Sequence, residues 1–465
     1  MRTYQDFLQI ADKSDNERMA FILSAINDHK SSELYKQALI AKEYDAHRNA
    51  TIVNFQKFLY TLSGRVIPDN YSANYKLRSN FFANFVTQET QYLLGNGVTL
   101  KKGENKKRLG TGFDNRLQDA AHDALVGGVS YGFWNLDHLE VFDVTEFVPL
   151  LDEENGSLRS GIRFWQISDA KPLRATLFEP DGFTQFIRRS GKDMEILEPK
   201  RGYVSVEAVS EADGTEILSY QNYSGFPVIP LYANRAKQSE LIGKREAIDC
   251  YDLIKSGFAN TVDEASIIYW TISNASGMDE VDMARFKDSM RKIGVGLVDE
   301  DGAKAEAHTI TIPVEAREAL LSRLSDDLYR DAQMLDVTKL QGGQKTATEI
   351  TAAYQPMDNK VDQFEYRVND FLKALFLIVG IDDDPSFVRS KITNQLEQTQ
   401  MVLMAAEYLD DETILNKLPW LTQEEVSEIL KRKAAEEIDR SFSEDSQDNP
   451  GGLNNGETGR GSSSD

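Results

Sequence analysis

Gly342-Gly343-Gln344-Lys345-Thr346 is where the chain comes nearest to a chemical signature, since two glycines, a lysine and a hydroxyl residue follow one another as in a phosphate-binding loop. Gln344 stands where that loop has its last glycine, and no apolar strand precedes it, so nucleotide binding is not read from it. The same residues with Lys339 and Gln341 give a glycine-hinged loop with long polar side chains and two positive tips. On a monomer this is a plain helix–helix loop, whereas projected into a lumen, rings of such tips could touch phosphates. The histidines His29, His47, His122, His138 and His308 are scattered, with no His-x-x-x-His pair, so no metal site is expected. Asp299, Asp301 and Gly302 resemble a calcium-loop fragment but lack the alternating ligands and the distal glutamate, and a hairpin turn accounts for them. There is no Gly-x-Ser-x-Gly elbow, no Cys-x-x-Cys and no Ser/His/Asp ordering. The expectation is a non-enzyme without a cofactor.

Composition narrows the field. The 465 residues exceed what one core organises, and 41% are hydrophobic, so two to four modules are expected. Lysine and arginine total 52 against 75 acidic residues, a net charge of -23, which disfavours a binder that grips nucleic acid through a globally basic surface. An acidic wall that repels DNA stays compatible with it. The single cysteine, Cys250, cannot form an intrachain disulfide and is expected to be a buried thiol. Residues 1–30 alternate charge with apolar side chains and lack a signal-peptide core, so cytosolic synthesis is expected. The longest apolar run, 371–381, is about half of the roughly 20 residues a membrane span needs.

Periodicity places the loop among elements. Residues 1–95 read mostly helical, stopped by Gly95-Asn96-Gly97 and followed by a strand at 98–101; 113–131 read as a helix ending at Gly127-Gly128. From there to about 230 the period is that of strands, with turns at Asn155-Gly156, Asp181-Gly182, Gly191-Lys192 and Asp213-Gly214. Pro227 and Pro230 forbid helix over 226–232, after which Ser239 is expected to cap a helix of about seven turns. Residues 267–272 switch to strand composition, 279–293 read as a short helix, and 294–298 with 307–312 as a hairpin. A second helix follows over 314–335, with Ala316, Leu320, Leu324, Leu328, Ala332 and Leu335 on one stripe. Thr346-x-x-Glu349 is a capping box opening the next helix, in which Pro356 predicts a kink or short break near Tyr354. Three shorter helices are expected over 385–438, with Trp420 in a connection, and a disordered tail from about 440. Two helices that leave a domain, carry a compact tip and return to a flexible loop suit copies packed side by side around an axis. Tyr251, Phe258, Leu324 and Leu328 are the candidates for that contact.

Several segments together resemble the portal proteins of long-tailed double-stranded DNA bacteriophages, the siphovirus type. They are Phe85-Val86-Thr87-Gln88-Glu89-Thr90-Gln91-Tyr92-Leu93-Leu94-Gly95-Asn96-Gly97-Val98, then Phe226-Pro227-Val228-Ile229-Pro230-Leu231-Tyr232-Ala233-Asn234. Ser239-Glu240-Leu241, Ile248-Asp249-Cys250-Tyr251-Asp252 and Lys345-Thr346-Ala347-Thr348-Glu349-Ile350 follow in order. The resemblance implies an α+β, mainly helical portal fold assembled as a ring of twelve copies. Its parts would be a wing over 1–238 with a long helix over 356–381, stem helices over 239–266 and 314–335, and a clip over 267–313. A tunnel loop and short helix would occupy 336–355, crown helices 382–440 and a tail 441–465. It implies a channel at one capsid vertex for genome packaging and ejection, a role in starting procapsid assembly, and location in the virion after assembly in the bacterial cytoplasm. Implied partners are the terminase large subunit, scaffolding and major capsid proteins, head-completion adaptors, and duplex DNA passing without sequence specificity; no membrane is involved. DNA-facing candidates are Lys339, Gln341, Gly342, Gly343, Gln344, Lys345 and Thr346 on the loop, with Lys244, Lys255, Arg317, Arg323 and Arg330 on the stem. Trp270, Arg285, Lys287, Arg291 and Lys292 are the clip candidates for docking. The rival reading is a head–tail adaptor or minor head protein without a channel, which has no need of a helix pair bracketing an insert.

Overall fold

The computed structural model describes residues 2–11, 13–60, 64–69, 72–210, 214–265, 269–273, 279, 281, 282, 284, 285, 288, 304–308, 313–340, 346–390, 402–404, 406–418, 421, 425–433 and 435. The chain divides into two compact units, one of residues 1–339 with 354–390, the other of 340–353 with 391–465.

In the first unit, amphipathic helices α1 (Tyr4–Ala11) and α2 (Asp15–Ser31) lie on a five-stranded antiparallel sheet. Its strands are β6 (Phe147–Leu151), β7 (Leu158–Trp165), β8 (Leu173–Glu179), β9 (Gly182–Arg188) and β10 (Met194–Arg201), in sequential order. Phe7, Phe21, Ile22, Ala25 and Ile26 meet the inward row Val148, Leu150, Ile162, Phe164, Ala175, Leu177 and Phe186. That alternation is what the sequence pattern demands of a sheet covered on one face. A three-stranded sheet, β4 (Val129–Asn135) between β5 (His138–Asp143) and β13 (Val228–Tyr232), shares an aromatic core of Tyr131, Phe133, Phe142, Phe147, Phe178 and Tyr203. The expected turns close β6/β7, β8/β9, β9/β10 and the hairpin β11 (Val204–Ser210)/β12 (Gly214–Gln221).

Helix α3 (Glu33–Asp45), the short α4 (Ala50–Val53), α5 (Phe81–Leu94), α6 (Gly103–Arg108) and α7 (Phe113–Gly127) supply the helical part. Gly128, at φ +88°, ends α7, and a Cβ there would sit 2.8 Å from the Gln238 backbone. Only glycine lets the chain approach so closely where the stretch before the next helix passes. The strand expected at 98–101 is β3 (Val98–Leu100), paired with β16 (Pro385–Phe387); β16 and the pair β1 (Phe58–Tyr60)/β2 (Val66–Pro68) lie where helix was expected. Three-residue strands leave no periodic trace to read.

Helix α8 (Arg245–Ala265) begins six residues after Ser239; residues 239–244 form turns, with the Ser239 hydroxyl accepting from the Leu241 N–H at 3.1 Å. Strand β14 (Tyr269–Ser273) pairs antiparallel with β15 (Lys304–His308), and α9 (Val314–Ala332) returns. The strand partner expected at 294–298 and most of the helix expected over 279–293 lie outside the described residues. A long helix, α10 (Ala347–Val379), is continuous through Pro356, so the expected break is absent. In the first unit it buries Tyr354, Met357, Val361, Phe364, Val368, Phe371, Leu372, Leu375 and Phe376, a stripe at helical spacing. Each such side chain stabilises by about 1.5–3 kcal/mol. No described helix is long and apolar enough to cross a membrane. Cys250 is exposed on α8, not buried, because the side of α8 that packs inward carries Ile248, Asp252, Ser256 and Asn260 instead.

In the second unit the Thr346 hydroxyl accepts from the Glu349 N–H at 3.2 Å while the Glu349 carboxylate accepts from the Thr346 N–H at 3.0 Å, the capping box the sequence calls for. Asp410 caps α11 (Asp411–Lys417) by accepting from the Thr413 N–H at 3.1 Å. Residues 425–433 are helical, whereas Trp420 and 436–465 fall outside the described residues.

Candidate functional site

The α8/α9 pair is the region the sequence singled out, and its geometry starts from a polar stripe. Asp249, Asp252, Ser256 and Asn260 recur at helical spacing along one face of α8. Asp252 accepts from the Ser79 N–H at 2.8 Å and from the Asn49 side-chain amide; Ser256 accepts from the Leu77 N–H at 2.9 Å; Asn260 accepts from the Tyr75 N–H at 2.7 Å. Asp249 accepts from the Thr51 hydroxyl at 2.7 Å and from the Tyr44 hydroxyl. Every second amide of the extended segment 75–79 is thus satisfied by α8, which bolts the helix to a segment that has no strand partner among the described residues. Burial raises the Asp252 carboxyl above its ordinary value, and the Asn49 and Ser79 donors hold it back.

A neighbouring face of α8 is aromatic. Tyr251 meets Phe81 edge-on at 5.0 Å, and Tyr329 of α9 packs edge-on against Phe85 at 5.2 Å. Arg317 lies 5.7 Å from the Phe258 ring centre and donates to the Thr261 hydroxyl at 2.9 Å, joining the two helices. Leu328 and Ala332 are buried, but Ala316, Ala319 and Leu320 face outward, so the expected single stripe is split. The α9 side toward α8 is Arg317, Leu321, Leu324 and Leu328; Leu328, 1% exposed, is closed within the chain and cannot serve a neighbour. Val262, Val314 and Leu320 remain 51, 40 and 45% exposed.

Where the helix pair joins the long helix, four charges are buried together. Lys360 on α10 lies 2.8 Å from Glu89 of α5 and 3.0 Å from Glu240, and donates to the Ala332 carbonyl at the end of α9 at 3.3 Å. Lys244 donates to Glu240 at 3.0 Å. Burial alone would lower the Lys360 ammonium; the two carboxylates outweigh it and raise its pKa. Burial likewise opposes ionisation of Glu240, yet Lys360 and Lys244 bring it down to about 2. Glu89, fully enclosed, is raised by burial, which Lys360 offsets only in part.

The sequence-derived candidates scatter over this frame. Lys244 is turned inward in the buried cluster. Lys339 pairs with Asp326 at 2.6 Å, Arg330 with Asp327 at 2.8 Å and Asp331 at 3.4 Å, and Arg323 with Asp327 at 3.9 Å. Arg285 reaches Asp282 at 3.6 Å, and Trp270 lies opposite Ala307 in the β14/β15 ladder. Thr346 caps α10, while Gln341, Gly342, Gly343, Gln344, Lys345, Lys287, Arg291 and Lys292 fall outside the described residues. On α9 five acids accompany three arginines, and two of those arginines are already paired, so its open surface is acidic.

Lys255, also on α8, lies 5.8 Å from the Tyr251 ring centre and shares a recess of about 480 Å³ with His47, Arg48, Lys76, Leu77, Arg78 and Asn80. Arg48 and Lys255 lie far in the chain from the Lys76-Leu77-Arg78 alternation, which alone in an acidic protein marks the place. Among the described residues no group of three or more His, Cys, Asp or Glu side chains could hold a metal ion.

Residues 24–440 match the family model described as "Phage portal protein, SPP1 Gp6-like". The portal protein of Bacillus phage SPP1 is 22% identical over 399 residues, 79% of this chain and 77% of that protein. The portal protein of Clostridium phage phiCD119 is 24% identical over 223 residues, 46% of this chain and 49% of that protein, so the alignment spans about half the length of that relative.

Proposed function

Because this chain belongs to the phage portal protein family of the SPP1 Gp6-like type, we propose that its copies close into a ring, of twelve in the capsid, at one vertex of the virion. The ring is a channel for genome packaging and ejection, a seat for the terminase motor and the head-completion adaptors, and a starting point for procapsid assembly. It performs no catalysis itself. Residues 1–238 and the helix after Pro356 act as the wing, 239–266 and 314–335 as the stem, 267–313 as the clip, 336–355 as the tunnel loop with its helix, and 382–440 as the crown.

The observation that carries this reading is the α8/α9 pair. It brackets the β14/β15 insert, and α9 touches α8 along one stripe while Val314, Ala316, Ala319 and Leu320 stay uncovered. A helix hairpin with an apolar outer side suits lateral packing against identical neighbours. The acidic remainder of α9 suits a wall that duplex DNA slides past, because like charges keep the phosphates from adhering. Arg323, Arg330, Lys339 and the loop 341–346 supply brief contacts, each limited by screening to about 8 Å, while Arg317 is held between α8 and α9. Arg285 with Trp270, Lys287, Arg291 and Lys292 present the docking tip.

Multi-angle light scattering of the purified protein tests the ring: a mass of many copies at micromolar concentration is expected. A monomer mass at every concentration refutes it.

A further inference from the structure

We infer that His47, Arg48, Lys76, Arg78 and Lys255 form a stationary binding site for the backbone phosphates of duplex DNA, apart from the loop and α9 cations. The inference deepens the function proposed above, since DNA is the polyanion that reading brings to α8.

The site is built from three chain segments, 46–48, 76–80 and α8 at Lys255, that converge on one recess, about 480 Å³ in volume. Its lining holds two lysines, two arginines and a histidine and no carboxylate, in a chain of net charge -23. None of Arg48, Lys76, Arg78 and Lys255 has a salt bridge among the described residues, in contrast to Lys339, Arg323 and Arg330. The polar contacts that do hold them are to neutral groups: Lys76 donates to the Val53 carbonyl at 2.6 Å and Arg78 to the His47 carbonyl at 3.1 Å. These bonds fix the Lys76 and Arg78 side chains without neutralising them, and among the described residues only Lys255 of the four cations acts electrostatically on a carboxylate, the buried Asp252. The carboxylate behind them, Asp252, is fully buried and occupied by Asn49 and the Ser79 N–H.

The backbone presents the cations deliberately. In the extended segment 75–79 the odd-numbered amides face α8, so Lys76 and Arg78 share one side of the strand, about 6.6 Å apart along it. His47 sits at φ +58° after α3, the left-handed position that glycine usually fills at a helix end. A side chain kept there at a conformational cost places Arg48 beside Arg78. The first turn of α5, which follows Asn80, has neither a side-chain cap nor an acid, and its free N–H groups add positive potential to that of the side chains. Two planar guanidiniums with two ammoniums suit phosphate oxygens, which arginine grips in bidentate fashion.

The test measures binding of a fluorescent 30-base-pair duplex to the full-length protein by anisotropy across a salt series. Arg48→Gln/Arg78→Gln should weaken binding about tenfold at low salt and reduce the slope of log K against log salt by about 2, near 0.9 per lost phosphate contact. Arg188→Gln/Lys192→Gln, which removes the same charge from the β9/β10 turn, should leave both unchanged. Melting temperature and light-scattering mass of each variant separate loss of binding from loss of fold or assembly. Equal weakening by both variants, or no duplex binding by the wild type, overturns the inference; so does poly-glutamate binding the recess more tightly than duplex. A protein that stays monomeric yet shows the Arg48/Arg78-dependent slope sinks the ring and keeps this site, while rings that bind duplex independently of Arg48 and Arg78 do the reverse.

Discussion

Replacing Lys360 by methionine removes the cation at the centre of the buried cluster while keeping most of the side-chain volume. Lys360 is 14% exposed and Glu89 3%, so the lost partner leaves Glu89 buried without its cation, whereas Glu240 keeps Lys244. Breaking one side of such a buried pair costs about 3–5 kcal/mol. Over residues 1–339 and 354–390 the entropy of unfolding is on the order of 0.8 kcal/mol/K, so the melting temperature should fall by roughly 4–6 °C. Circular dichroism melts of Lys360→Met, Glu89→Leu and the double variant form the cycle. The double variant should recover most of the loss, since an apolar pair of similar volume replaces the ion pair without leaving a charge behind. If Lys360→Met melts within a degree of wild type, or the double variant is no better than the single, the cluster is not what joins α5, α9 and α10.

Gly161→Ala should destabilise by about 1–3 kcal/mol in a urea melt, because its new Cβ would overlap the ring of Phe147 in the aromatic core. Thr346→Ala removes the capping box of α10 and should cost about 1 kcal/mol, read as faster amide exchange over 347–350 with the rest unchanged. His122 is raised to about 10 by hydrogen bonds to Asp123 and Asp45. Its folded pKa exceeds the unfolded value near 6.5, so its contribution is complete below pH 6.5 and fades as pH rises through 10. Partial exposure limits that contribution to about 1 kcal/mol, and His122→Asn should flatten the stability profile between pH 7 and 10; an unchanged profile would show that the Asp45 and Asp123 contacts do not matter.

Elements with long periods were readable: the helix ending at Gly127-Gly128, the strands between the four turns, and the capping box at Thr346 all lie close to where their patterns place them. The bolt between α8 and segment 75–79 was not, because Asp249, Asp252, Ser256 and Asn260 look like a solvated face. Their partners are backbone amides of a stretch with no period at all. Glu89 carried a signal that went unused, a lone acid among apolar neighbours on α5, and its partner Lys360 lies 271 positions away. Ala316 and Leu320 share one expected stripe with the buried Leu328 and Ala332 yet face outward, because a helical stripe tells that a face is to be covered and not by which molecule.

Ring closure requires lateral contact between the α8/α9 pairs of adjacent copies. An electron-microscopy map of the assembled particle at subnanometre detail addresses it most directly. A closed ring is expected, with a central hole wide enough for duplex DNA and Leu320 covered by an adjacent subunit. A particle without a hole, or a hairpin touching no neighbour, would contradict it.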